Sequence, residues 1–232
     1  MQLVIFDLDG TLTRSTRVDE ACYMRALRDE FGVTSIDSNW AQYTHCTDSG
    51  ITLEIFQNRL GRLPSDEDVQ RLKDRFVALL AQAIEERPEL CAQVEGASAA
   101  LEGLRGHPHW AIALATGSWQ VSALLKLRAA RLDATDVPAA FADDGISRDE
   151  IVALALRRAR LCYGQDHFSR IVCVGDATWD VQTARRLKLP LLGVGAGRRA
   201  QRLRDEGVSD VLQDFSDFDA LLRTLETVDV PR

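Results

Sequence analysis

Short apolar runs recur along the chain, at Leu3 to Phe6, Ala111 to Ala115, Ile171 to Val174 and Pro190 to Val194. Each is followed by Gly, Ser, Thr or Asp and then by a stretch of helical periodicity. Runs this short, bounded by turn residues, are what strands buried on both faces require, and their alternation with helices marks a wound, mostly parallel sheet. Ala139 to Ala142 adds a weaker strand, with a helix expected from about Ser147 to Tyr163. The predicted fold is α/β, a Rossmann-like parallel-sheet core with helices on both faces.

One stretch breaks the alternation. Between Ser15 and Pro88 there is no convincing strand, only amphipathic helical patterns, so an all-helical unit is expected there. The last of its helices is the plainest: Pro64-Ser65 opens it, Asp66, Glu67 and Asp68 suit its positive N-terminal end, and Val69, Leu72, Phe76, Leu79 and Leu80 share one face. Arg87-Pro88 ends it. The expected organisation is a core of residues 1–14 and 89–232 with a helical domain of residues 15–88 inserted into it.

Composition narrows the function classes. A hydrophobic share of 46% and a charged share of 27% are those of a folded globular chain. A net charge of -7 speaks against a broad nucleic-acid surface, which needs uncompensated Lys and Arg. The N-terminal apolar run is too short to span a membrane and lacks the features of a leader, so no membrane partner and a cytoplasmic location are expected. The five cysteines are scattered without metal-binding spacing and read as reduced thiols.

The strongest chemical signal is Asp7-Leu8-Asp9-Gly10-Thr11-Leu12, immediately after the first strand, where open α/β sheets place their ligands. Asp7 and Asp9 fall on one side of an extended chain and would repel each other unless a cation, a proton or a phosphoryl oxygen lay between them. Mg²⁺, which takes a few oxygen ligands together with water and phosphate, removes that difficulty. At the end of the second strand, Thr116-Gly117-Ser118 offers a hydroxyl and a helix N-terminus to an anion, although Ser118 could equally be a plain N-cap. Gly175-Asp176-Ala-Thr-Trp-Asp180 follows the later strand, with helix capping by Asp176 as the simpler use.

These motifs, in this order and over nearly the whole chain, resemble those of the haloacid-dehalogenase-like superfamily. The resemblance implies a Mg²⁺-dependent phosphatase acting on a small phosphorylated metabolite of the phosphoglycolate or sugar phosphate type. Asp7 would be the nucleophile, Asp9 the acid and base, and Thr116 with Gly117 the phosphate binders. Mg²⁺ would be held by Asp7, Asp176 and the main-chain carbonyl of Asp9, with Asp180 behind them holding a water or the third-motif cation. That third motif departs from the usual pattern: the chain's lysines are Lys73, Lys126 and Lys188, and none opens the helix after Asp143-Asp144. Arg148 is assigned to the position, the alternative being an exposed first-turn residue.

The helical insert resembles the cap of this superfamily, which closes over the site and selects the substrate. Its segment Trp40 to Ser49 is rich in polar and aromatic groups; His45 and Asp48 are chosen as substrate contacts, with helix capping by Thr47 or Asp48 as the competing use. Arg14 either reaches the substrate or is exposed at a hinge, and Trp119 and Trp179 line the entrance or pack against the cap. Gly193-Val-Gly195-Ala-Gly197 reads as a strand-to-helix turn, the arginines from Arg198 to Arg204 as a solvated face, and Lys73 as solvated, which disfavours a lysine-dependent phosphonate chemistry. Two rivals share these motifs: a phosphomutase similar to β-phosphoglucomutase, and a phosphate-binding regulator without turnover.

Overall fold

The computed structural model describes residues 1–232 and contains a six-stranded sheet in the order β3-β2-β1-β4-β5-β6. The strands are β1 (Gln2–Phe6), β2 (Trp110–Ala115), β3 (Ala139–Ala140), β4 (Ile171–Gly175), β5 (Leu191–Val194) and β6 (Val211–Leu212). Every pairing is parallel. Four sequence-read strands appear within a residue or two of their expected ends. Ala139 to Ala142 shortens to two residues, and β6, two residues long, carries no periodic signal.

Period two in β1 decides the layering. Val4 and Phe6 enter one apolar layer with Leu101, Leu104 and Leu127, whereas Leu3 and Ile5 enter the other with Ile151, Val152 and Ala155. On the first face lie α4 (Ala97–Arg105), α5 (Gln120–Ala129) and α9 (Phe218–Thr227); on the second lie α6 (Arg148–Tyr163) and α7 (Thr178–Leu187). A further helix, α8 (Arg198–Asp205), follows β5. The chain runs outward from β1 through β2 to β3, then returns beside β1 with β4. The carboxyl ends of β1 and β4 flank that reversal, the place where doubly wound sheets open a crevice.

Between residues 15 and 88 the structure is helical only: α1 (Thr16–Phe31), α2 (Asp48–Ile55), which continues into a π-helical turn at Phe56–Leu60, and α3 (Asp66–Glu86). Ser65 caps α3, its Oγ accepting from Asp68 N at 3.2 Å while the Asp68 carboxylate accepts from Ser65 N at 2.8 Å. Leu72, Phe76, Leu79 and Leu80 are buried as their spacing predicts, and with Tyr23, Leu27 and Phe56 they form a third apolar cluster.

Trp119 ties that cluster to the sheet. The ring is fully buried against Tyr23 and Phe76, and its Nε1 donates to Ser49 Oγ at 2.9 Å. Packing against the insert, rather than lining an entrance, is thus the use of Trp119. Lys73 is not solvated either: it bonds Asp143 at 2.5 Å and sits 5.2 Å from the Trp119 ring centre. Trp119→Ala should lower unfolding free energy by about 3–5 kcal/mol, as removal of a buried aromatic does. Urea titration measures this, and an unchanged midpoint would contradict the packing role.

Candidate active site

The three acidic positions read from the sequence do converge. Asp7 follows β1, Asp176 follows β4, and Asp180 lies in the first turn of α7. One carboxylate oxygen from each lies within 4.8 Å of the others, all three residues buried. Thr11 Oγ1 stands between two of them, 3.4 Å from both Asp7 Oδ2 and Asp176 Oδ1. Asp180 also turns back on the chain, Oδ2 accepting from the amides of Asp176 and Ala177 at 3.1 Å each. Asp176 therefore does not cap α7, and Asp180 is a full member of the cluster.

Gly10 makes the cluster possible. Its φ of +86° lies in the left-handed region, and any Cβ there would collide with the Asp176 carboxylate. Gly10→Ala should accordingly displace Asp176 and weaken divalent-ion binding, measured by calorimetric titration with Mg²⁺. Binding equal to wild type would show that the loop can relax.

Arg148 reaches the position assigned to it. The residue opens α6 after the Ser147 N-cap, and its Nη2 donates to Asp7 Oδ1 at 2.7 Å and Asp180 Oδ1 at 2.6 Å. Its side chain is one-tenth exposed, so the solvent-facing alternative is excluded. A second guanidinium was not foreseen: Arg199 Nη1 lies 3.0 Å from Asp176 Oδ2 and donates to Gly10 O at 3.1 Å. Arg199 thus reaches the cluster although its side chain stays 43% exposed. Gly195 permits this reach, since a Cβ there would come within 2.7 Å of the Arg199 chain. Burial pushes Asp7 up to about 7 against the pull of Arg148, and burial likewise raises Asp176 despite Arg199. Both shifts have burial as their leading cause.

Asp9 does not share a cation with Asp7. Its carboxylate turns to Ser15 Oγ at 2.5 Å, Ser118 Oγ at 2.7 Å and Lys126 Nζ at 2.6 Å. Lys126 extends from α5, is completely buried, and also bonds Asp19 of α1 at 2.6 Å and Ser118 at 2.7 Å. Burial opposes ionisation of Asp9, yet Lys126 and the two hydroxyls hold its pKa below the usual value, and Asp19 stays raised to about 6 by burial despite the same lysine. Repulsion between Asp7 and Asp9 is relieved by giving each its own cation, Arg148 and Lys126. The one sequence signal for Lys126 is a lone ammonium in the apolar stretch Ala123-Leu-Leu-Lys-Leu127.

At the end of β2, Thr116 Oγ1 accepts from Ser118 N at 3.2 Å. The helix start predicted at Ser118 falls at Gln120 instead, and Ser118 bonds Asp9 rather than capping α5. The first amides of α5 are already occupied: Trp119 N donates to Asp48 Oδ2 at 2.8 Å and Gln120 N to Asp143 Oδ2 at 2.6 Å. The α5 N-terminus is therefore no open anion site. Gly117 N has no partner within the protein and, with the Thr116 hydroxyl, is left to meet an anion.

A cleft of about 640 Å³, counting its mouth, runs between these strand ends and the helical insert. Asp7, Asp9, Asp48, Thr116, Gly117 and Arg148 all line it, as does Trp179. Asp48 does so with a carboxylate that Trp119 N already engages, while Thr47 caps α2 through Gly50 N at 3.0 Å. His45 and Arg14 lie elsewhere: His45 packs through its Cβ against Gly50, and Arg14 is exposed with its amide bonded to Ala92 O. Sequence reasoning missed Asp19 and Glu20, which face the cleft from the insert, whereas Trp40 and Cys46 do so from within the segment it singled out. No helix of the protein is long and apolar enough to cross a membrane.

Sheet order, crevice and buried acidic cluster together define a doubly wound α/β protein with its candidate site at the strand ends. Residues 1–188 match the family model of haloacid dehalogenase-like hydrolases, and the chain belongs to that family. A search of curated proteins finds no match. Among solved structures, a hydrolase from Pseudomonas syringae is similar at 23% identity and TM-score 0.71, over 96% of this chain and 98% of that one. A putative β-phosphoglucomutase from Bacteroides vulgatus follows at 16% and 0.68, over 97% and 89%. CbbY from Rhodobacter sphaeroides, solved with phosphate, gives 17% and 0.63, over 93% and 95%. Likenesses at these identities establish a shared fold.

Lys126 gives a stability prediction. Lys126→Ala leaves Asp9 and Asp19 close together without their cation, so it should cost about 3–5 kcal/mol, whereas adding Asp19→Asn should recover part of the loss. Thermal denaturation of the single and double variants decides this, and strictly additive losses would contradict the shared ion pair.

Proposed function

We propose that this hydrolase is a phosphatase that removes phosphate from a small metabolite through an aspartyl-phosphate on Asp7. The observation that carries the reading is the paired placement of Asp7: it faces the cleft beside Thr116 and Gly117, yet it is bound from behind by Arg148. Arg148 orients one carboxylate oxygen and neutralises part of the charge that gathers there, leaving Oδ2 for attack on phosphorus in line. The Thr116 hydroxyl and Gly117 amide would hold the phosphoryl oxygens.

The fit of Mg²⁺ rests on the donor set. Asp7, Asp176 and Asp180 present closely spaced, buried hard oxygens. Asp7 and Asp176 would hold the ion with the main-chain carbonyl of Asp9, and Asp180 would steady it while keeping Arg148 in place. Bound there, Mg²⁺ would supply charge neutralisation to the phosphoryl group.

Asp9 would act as the acid and base. With three donors on its carboxylate it rests deprotonated, a state suited to taking a proton from the water that hydrolyses the aspartyl-phosphate. The earlier delivery of a proton to the leaving alcohol requires Asp9 to carry that proton while Lys126 and Ser118 keep the group in position.

Residues 15–88 serve as the cap in this reading, with residues 1–14 and 89–232 as the core. The insert is stitched down by Asp48 N to Gly117 O at 2.7 Å and by Thr47 Oγ1 to Ile146 O and Ser49 Oγ to Ala142 O, each at 2.6 Å. Such closure limits water access. It would equally serve a phosphomutase, and the fold shared with the putative β-phosphoglucomutase keeps that second reading in view.

Phosphate release from a panel of phosphomonoesters should require Mg²⁺, stop with EDTA, and be lost in Asp7→Asn. Activity equal to wild type in that variant would sink the covalent reading. Arg148→Ala should reduce turnover by about 10²–10³-fold, the scale expected for removing one preorganised charge donor. Full activity would mean that Arg199 alone supplies the needed charge.

A further inference from the structure

Resting on the phosphatase reading, we infer that the cleft selects a monoester whose alcohol portion carries a positive charge, as a small aminoalcohol phosphate does. The wall contributed by the insert includes Asp19, Glu20, Trp40 and Ile51, and no Lys or Arg. Among all residues lining the cleft Arg148 is the one cation, and it is committed to Asp7 and Asp180 at 2.7 and 2.6 Å. Lys126 lies behind the wall, its three bonds spent on Asp9, Asp19 and Ser118. Lys73 is held by Asp143 and does not reach the cleft.

A second anionic group on the substrate, such as the carboxylate of phosphoglycolate or the distal phosphate of a bisphosphate, would meet Glu20 and Asp19 with no free partner. Like charges in a partly desolvated cleft exclude a ligand strongly. Glu20, by contrast, carries no ion pair or hydrogen bond within the protein, so its carboxylate is free to receive an ammonium. Trp40 and Trp179 border the same space, and aromatic rings attract cations.

Thr16 also lines the cleft from the first turn of α1, its Oγ1 buried and unpartnered. The phosphate end of the cleft is thus built from the core and the charge-reading end from α1.

Three near-isosteric probes test the inference: 2-aminoethyl phosphate, 2-hydroxyethyl phosphate and 2-phosphoglycolate, each assayed with Mg²⁺ for phosphate release. The expected kcat/KM falls in that order, the first exceeding the last by at least about tenfold. Glu20→Lys should shrink that ratio by at least about tenfold by placing an opposite charge on the wall. Calorimetric binding of the same probes to Asp7→Asn should show the same order, and it decides the matter even if no probe is turned over. A ratio below tenfold, a preference for 2-phosphoglycolate, or a ratio untouched by Glu20→Lys overturns the inference. Absence of phosphate release from these probes and from p-nitrophenyl phosphate, alongside the expected binding order, would overturn the phosphatase reading alone.

Discussion

Carboxylates crowd the heart of this protein, and their compensation is the condition on which the site and the inserted helices both depend. Parallel strands about 5 Å apart deliver Asp7 and Asp176 to one point, and the first turn of α7 adds Asp180. A few residues away Asp9 meets Asp19 and Asp48 from the insert. Isolated charges of this kind in a poorly hydrated interior would be prohibitive. Two guanidiniums, Arg148 and Arg199, meet the first group, Lys126 meets Asp9 and Asp19, and backbone amides meet Asp180 and Asp48. Burial still raises the pKa values of Asp7 and Asp176.

This distribution separates two carboxylates that the sequence places side by side. Asp7 is bound through Arg148 to the phosphate-facing cluster, and Asp9 through Lys126 to the helix that begins the insert. The two carboxylates therefore have separate electrostatic environments within one short loop. The same ion pairs engage Arg148 and Lys126, so the insert's wall of the cleft keeps an acidic and aromatic character.

Much of the fold was legible because its signals are local. Buried strands bounded by Gly and Asp, the Ser65 and Ser147 helix starts, and the apolar face of α3 each follow from neighbouring residues. The residues of the acidic cluster were legible too, since Asp7 and Asp176 follow recognisable strands and Asp180 lies in the next helix's first turn. What escaped were long-range partners. Lys126 looked like an anomaly in an apolar helix, Arg199 like one of several surface arginines, and Ser118 like a helix cap, until α5, α8 and β1 came together. His45 and Asp48 show the converse: a segment rich in polar groups does meet the core, but only Asp48 turns toward the cleft.

Sequence alone determined the α/β alternation, the helical interruption after the first strand and the order of the acidic and hydroxyl motifs, because period-two and helical patterns and turn residues act over a few neighbours. Tertiary structure decided which cation serves which carboxylate. Asp7 and Asp9 lie two residues apart, whereas Arg148 is 141 and Lys126 is 117 positions from its partner. Such pairings depend on the sheet order and on how far a buried side chain can reach, neither of which is written in the local pattern.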